Sequence, residues 1–323
     1  MVADPEPQVA PDRGPVIEVD GIVTRFGAQT VHDGVSFSVP RGSLVALIGG
    51  SGSGKSVLLR EMIGLHRPSG GQVRLLGTDM WSAPQAERNA VRRRFGMMFQ
   101  DGALFSSLSV AQNVAVPLHE HTRLAAATID QLVALRLLQA GLPADAGGKM
   151  PSALSGGMRK RAAIARAIAL EPEILFLDEP TSGLDPEAIR DFYTILRQLR
   201  SEGVTMVITS HVLAEIQERV DRLAIMTAGR IQASGTVQAL REQMDLPLWF
   251  TVRVAREDFE AVRAVLGHLP VGAIEAHDDH VAVQCQREVK MAVIKALATL
   301  NGRVRDLSVR EPSLEDVFFG FAD

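Results

Sequence analysis

The chain has a single cysteine, Cys285, among its 323 residues. That excludes an internal disulfide and suits a reducing cytoplasm. It also lacks any run of about 18 apolar residues: the apolar stretch around Ile168 is broken by Arg166, Glu171 and Pro172, so a membrane role must come through a partner. Basic excess is missing as well. With a net charge of −4 the chain carries no overall electrostatic footprint for DNA or RNA, and no nucleic-acid partner is expected. Its short basic clusters, Arg92-Arg93-Arg94 and Arg159-Lys160-Arg161, read as solvated helix faces. Residues 1–15 are rich in proline and acid without an apolar core, which reads as a disordered tail and not a signal peptide.

What is present is an ordinary globular composition, 46% hydrophobic and 22% charged, at a length that suggests two domains. One stretch organises it: Gly49-Gly50-Ser51-Gly52-Ser53-Gly54-Lys55-Ser56, between the aliphatic run Leu44 to Ile48 and a helical pattern opening at Val57. Strand, glycines, then Lys-Ser at a helix start is the context of a phosphate-binding loop. Glycines let successive N–H groups turn toward an anion, and the helix adds its positive end. Lys55 would reach the β- and γ-phosphates, and the Ser56 hydroxyl would ligate Mg²⁺.

The rest supplies candidates around that loop. Short strands are expected over Val16–Val19, Ile22–Phe26 and Val35–Val39, with Phe26 placed to stack on a base or to sit half-buried in its strand. A strand Gly96–Gln100 ends in an amide able to ligate a metal or hold a water. Helical pieces span Val110–Pro117 and Ala125–Ala140. Leu154-Ser155-Gly156-Gly157-Met158 precedes a helix from Arg159 and forms a second cradle, with Ser155 as N-cap. Ile174-Leu175-Phe176-Leu177 reads as a buried parallel strand that delivers Asp178 and Glu179 at its C-terminal end, where open α/β sheets bind ligands. Asp178 suits Mg²⁺, and Glu179 suits a water to be deprotonated. Ser182–Pro186 turns into a helix, and the strand Thr205–Thr209 leads to Ser210-His211 at the same sheet edge.

Together these residues resemble the nucleotide-binding domain of ABC transporters over residues 16–240. Phe26 matches the adenine-stacking aromatic, Gly49–Ser56 with Val57 the Walker A loop, and Gln100 the Q-loop. Leu154–Met158 match the family signature, Ile174–Glu179 Walker B, Ser182–Asp185 the D-loop, and His211 the switch histidine. The resemblance implies ATP and Mg²⁺ as cofactors. Glu179, His211, Lys55 and Gln100 would serve catalysis, and Ser56, Gln100 and Asp178 would hold the metal. Gly156 and Asp185 would also bind ATP, and Ser155 and Gly157 would clamp the nucleotide held by the loop of a second copy, so a homodimer with shared sites is implied. The implied fold is α/β, a P-loop NTPase with a RecA-like core, a β-subdomain and a helical subdomain over about 101–156.

Residues Phe99–Phe105 and Asn113–Thr122 look like the Mla/Mce-type ATPases, which energise lipid movement across cell envelopes. The resemblance implies integral-membrane permease subunits, an Mce-domain substrate-binding partner, and a peripheral place on the cytoplasmic face of the inner membrane. His119 and His121 read as a surface pair. After an ATPase domain expected over 16–245, residues 246–323 carry the order β-α-β-β-α-β of a ferredoxin-like α+β domain. The polar turn His277-Asp278-Asp279-His280 sits in its hairpin. Glu311–Phe318 resemble the tail of ATPases serving drug and polysaccharide exporters, which makes a drug or glycoconjugate exporter the alternative. A soluble ABC ATPase of DNA repair or translation would need two motif sets or a long coiled-coil insertion. A small-molecule kinase would leave the signature and His211 without a role.

Overall fold

The computed structural model describes residues 14–216, 219–243 and 247–311. The expected tail before residue 14 and the exporter-like ending after Glu311 lie outside the described residues. The chain forms two compact units that divide between Ser234 and Gly235.

The first unit runs β1 (Ile17–Phe26), β2 (Gln29–Val39), β3 (Leu44–Ile48), α1 (Lys55–Met62), β4 (Gly70–Leu75), β5 (Thr78–Asp79), α2 (Gln85–Arg92) and β6 (Phe95–Met98). It continues through α3 (Val110–His121), α4 (Ala126–Gln139), α5 (Gly156–Ala167), β7 (Ile174–Asp178), α6 (Pro186–Ser201), β8 (Thr205–Ser210), β9 (Arg222–Thr227) and β10 (Arg230–Gly235). The larger sheet has the order β10-β9-β3-β8-β7-β6. Within it β9, β3, β8, β7 and β6 pair in parallel. Every residue of β3, β7 and β8 is buried, as strands covered on both faces require. Their C-terminal ends therefore share one edge.

The smaller sheet, β2-β1-β4-β5, is antiparallel. The two strands expected before and after Asp20-Gly21 are one: Gly21, with φ 57°, lets a bulge absorb the irregular residues without a turn. Ile17, Val19 and Ile22 from β1 share a core with Leu58 of α1 and Phe176 of β7, so the sheet is seated against the phosphate-loop helix.

Helices α3, α4 and α5 pack on one another. The expected stop at Pro117 does not occur, and α3 continues to His121. Proline removes one N–H, but Val114 and Leu118 on either side of it are buried, and that packing carries the helix on. His119 and His121 thus lie in its last turn. Strand β6 stops at Met98, so Gln100 lies beyond it and does not end it.

The second unit comprises α7 (Val237–Gln243), β11 (Leu248–Val254), α8 (Phe259–Leu266), β12 (Val271–Ala276), β13 (His280–Cys285), α9 (Lys290–Ala298) and β14 (Val304–Arg310). Its antiparallel sheet has the order β12-β13-β11-β14, the ferredoxin-like arrangement. Val262 and Leu266 of α8 and Val293 and Leu297 of α9 pack on Phe250, Val252 and Val283 in a core of their own.

Candidate functional site

Six residues turn the chain from β3 into α1. Gly49 has no room for a side chain: a Cβ there would lie 2.4 Å from the Met226 carbonyl and 2.6 Å from Ser53 Oγ. Gly50, Ser51, Gly52 and Ser53 form the bend, closed by the Ser53 N–H donating to Gly50 O at 3.2 Å. Gly54 then caps α1 at φ 104°, a left-handed value open to glycine. Lys55 is buried, and its Nζ donates to Gly49 O at 2.8 Å and Gly50 O at 3.0 Å. Burial pushes its ammonium below the usual range, and the Glu179 and Asp178 carboxylates pull it back up. Those carbonyls hold the ammonium over the loop, where phosphate oxygens would be stronger acceptors. No acid stands in the first turn of α1, so nothing opposes the positive helix end there.

The parallel register brings five polar side chains to the common edge. Ser56 Oγ donates to Asp178 Oδ1 at 2.9 Å, and Thr209 Oγ1 donates to the same oxygen at 2.8 Å. Asp178 is only 3% exposed. A buried carboxylate flanked by two hydroxyls is an all-oxygen donor set, which fits a hard cation such as Mg²⁺. Glu179 follows at φ 41°, a left-handed value for a non-glycine residue. Its backbone is held on both sides. The N–H donates to Thr209 Oγ1 at 2.9 Å, and the carbonyl accepts from Lys160 Nζ and the Ser182 N–H, each at 3.2 Å. His211 Nδ1 lies 3.3 Å from Glu179 Oε1.

Gln100 does not join the Ser56–Asp178 pair here. Its side chain is exposed, and its main-chain carbonyl is what the fold engages, through Lys160 Nζ. Phe26 is 46% exposed, and one face of its ring stacks on His66 at 4.8 Å between centroids.

Ser155 caps α5, its Oγ accepting from the Met158 N–H at 3.3 Å, so the helix starts at Gly156 and holds the signature glycines in its first turn. Asp185 caps α6 through the Ala188 N–H at 2.8 Å. Gly156, Lys160, Gln100, Ser182 and Gly183 line one cleft that contains no phosphate-loop residue. The two glycine cradles are therefore separate sites within one chain.

One member of the cluster Arg159-Lys160-Arg161 departs from the solvated face expected of it. Lys160 is 8% exposed and donates to Gln100 O, Glu179 O and, at 3.4 Å, Ser182 Oγ. Desolvation lowers its pKa, while Asp101, Glu179 and Asp178 raise it. Charge patterning alone hid this, because a lysine one turn into a helix looks the same in sequence whether it points to water or to three acceptors. Thr209 was missed for a similar reason: in a buried β-branched run, threonine passes for valine.

Known proteins resemble this chain. The ABC transporter family profile matches residues 32–182, and the profile of the ATP-binding protein DrrA1-3-like C-terminal domain matches 235–320. The intermembrane phospholipid transport system ATP-binding protein MlaF of Escherichia coli K12 is 40% identical over 220 residues, 68% of this chain and 81% of that protein. The methionine import ATP-binding protein MetN of Bifidobacterium longum is 41% identical over 69% of this chain and 57% of its own length. Among solved structures, the dimeric ATP-binding cassette MJ0796 in a post-hydrolysis state with ADP and Pi aligns with a TM-score of 0.64 at 26% identity. That alignment covers 68% of this chain and 98% of the cassette.

Proposed function

The chain belongs to the ABC transporter family as an ATP-binding, ATP-hydrolysing subunit, and from that premise we propose that it powers phospholipid or related lipid transport across a bacterial cell envelope. The ATP site is carried by one observation: β3, β7 and β8 deliver Ser56, Asp178, Glu179 and His211 to one sheet edge beside a glycine loop. The lipid reading is supported by the 40% identity to MlaF across four-fifths of that protein.

In this reading Phe26 stacks the adenine on the face that His66 leaves open. The amides of Gly49 to Val57 cradle the phosphates, and Lys55 neutralises them. Ser56 and Asp178, with Gln100 swung in, would hold Mg²⁺, which supplies charge neutralisation at the phosphates. Glu179 takes the proton of the attacking water, and His211 orients and shares charge with it. Ser155, Gly156, Gly157 and Asp185 serve the nucleotide of a second copy, which makes the working unit a homodimer. The dimeric MJ0796 cassette supports that reading. Closure on ATP and reopening on hydrolysis form the two-state element that permease subunits would follow. The open groove beside Gln100, lined by Phe95, Phe99, Phe105, Pro117, His121 and Arg166, is where they would dock. The chain would then be peripheral on the cytoplasmic face of the membrane, with an Mce-domain protein as a further partner.

Glu179→Gln should keep ATP binding, lose turnover and accumulate closed dimer; hydrolysis at the unaltered rate would remove Glu179 as the base. The substrate is tested by reconstituting the native complex and following labelled phospholipid between vesicles. ATP-dependent transfer is expected, and none would remove the lipid reading. A second reading, an exporter ATPase, draws on the match of residues 235–320 to the DrrA1-3-like C-terminal domain. It predicts ATPase stimulation by amphipathic drugs or glycoconjugates in place of phospholipid.

A further inference from the structure

Beneath the phosphate loop lies a polar network that the nucleotide chemistry does not use. Thr24 of β1, His32 of β2 and Glu61 of α1 are each 0% exposed. Thr24 Oγ1 donates to Glu61 Oε1. His32 Nδ1 is 3.0 Å from Thr24 Oγ1 and 3.0 Å from Glu61 Oε2, the second an ion-pair contact without hydrogen-bond alignment. His32 Nε2 is 3.1 Å from Gly54 O. That carbonyl also accepts the Leu58 N–H at 2.9 Å, the first bond of α1.

The roles follow from the donors. A carbonyl only accepts, so Nε2 must carry the hydrogen, however the proton between Glu61 and Thr24 is ordered. Glu61 and Thr24 thus hold the ring in one orientation by its other nitrogen, as a carboxylate commonly does for histidine. Three fully buried polar groups are costly to keep, and an apolar trio would pack as well. What this network adds is one directed N–H.

Its target matters. The Gly54 carbonyl belongs to the peptide whose N–H is that of Lys55. In a planar trans peptide, C=O and N–H point in opposite directions. Fixing the carbonyl down onto His32 therefore fixes the Lys55 N–H up, on the other side of the peptide. A Cβ at Gly54 would meet Nε2 at 2.6 Å, so the glycine is also what lets the ring approach. We infer that His32, oriented by Glu61 and Thr24, is a positioning residue for ATP: it locks the Gly54–Lys55 peptide so that the Lys55 amide is aimed at the phosphates before the nucleotide arrives. The network ties the loop to β1, the strand that carries Phe26, so the two ends of the nucleotide site share one anchor.

The inference rests on the phosphates occupying this loop, and the test separates the two. ATP affinity, with Mg²⁺, and melting temperature are measured on the full chain for two paired variants. H32Q/E61Q keeps an amide donor near Nε2 and removes both ionisable groups. H32L/E61L fills the space and keeps no donor. The first should stay within about threefold of the parent affinity and the second should bind about tenfold more weakly at a similar melting temperature, the scale of one directed hydrogen bond. Equal affinities for the two would overturn the inference. If H32L/E61L does not fold, ¹⁵N NMR of the imidazole in the unaltered chain decides. A proton on Nε2 of His32 is required, and an unprotonated Nε2 ends the argument. Lys55→Ala is the control for the site itself: undiminished ATP affinity there would remove the phosphate-loop reading, whatever the paired variants do.

Discussion

Thr209 Oγ1 accepts the main-chain N–H of Glu179 at 2.9 Å. The same hydroxyl gives its proton to Asp178, so one side chain holds both acids at the end of β7. Thr209→Val keeps the shape and removes both bonds. Turnover should fall about tenfold to a hundredfold, since the proposed base loses its placement, with ATP affinity within about threefold. Phosphate release compared with nucleotide binding checks it; an unchanged kcat would show that Glu179 needs no such anchor.

Lys160→Met should decouple the signature helix from the hydrolysing edge. Methionine fills the volume but offers no donor to Gln100 O, Glu179 O or Ser182 Oγ. Hydrolysis should drop about tenfold or more while ATP binding to the isolated chain is kept. A variant that lost only melting temperature, with kcat intact, would reduce Lys160 to a packing element.

Ser155→Arg places a bulky cation where the cap of α5 faces solvent, so the fold should tolerate it. In a shared-site dimer it should abolish hydrolysis and ATP-induced dimerisation without weakening nucleotide binding by the monomer. Light scattering with and without ATP reads this directly. Normal turnover would mean that each chain works alone.

Asp79 gives a pH dependence with a definite sign. Burial would raise its carboxyl. Bonds from Gln72 Nε2 and from the Trp81 and Ser82 N–H groups outweigh that and hold it at about 2, from an ordinary 3.8. A lowered folded value stabilises above the unfolded value and is lost as pH falls toward about 2. Asp79→Asn should therefore cost about 1 kcal/mol near neutrality, after solvent screening, and progressively less below about pH 4. Denaturant titrations across that range would show the two curves converging; a constant offset would contradict the linkage.

The sequence disclosed this site to the extent that its chemistry is written in small local patterns. Gly49–Ser56 and Ile174–Glu179 are legible because a glycine loop and a buried run ending in acids have few other uses. The ferredoxin-like order of the second unit was legible from alternation and turn residues. What stayed hidden was partnership over distance. Thr24, His32 and Glu61 sit 8 and 29 positions apart along the chain, and nothing local marks a histidine in an alternating strand as the support of a loop. Lys160 was disguised by its basic neighbours. The strand expected to end at Gln100 stops at Met98, since the apolar run Met97-Met98-Phe99 does not show where pairing ends. Pro117 misled in the other direction, since a helix buried on both sides of a proline can outlast it.

Glu179 carries a further meaning in its backbone. At φ 41° the main chain there suits glycine or asparagine, and a glutamate pays roughly 1 kcal/mol to stay. In the proposed reading, folding and turnover consequently make opposite demands on this position. With Glu179 as the proposed base, the residue the backbone prefers at this position would give a sturdier protein that still grips its nucleotide and no longer consumes it.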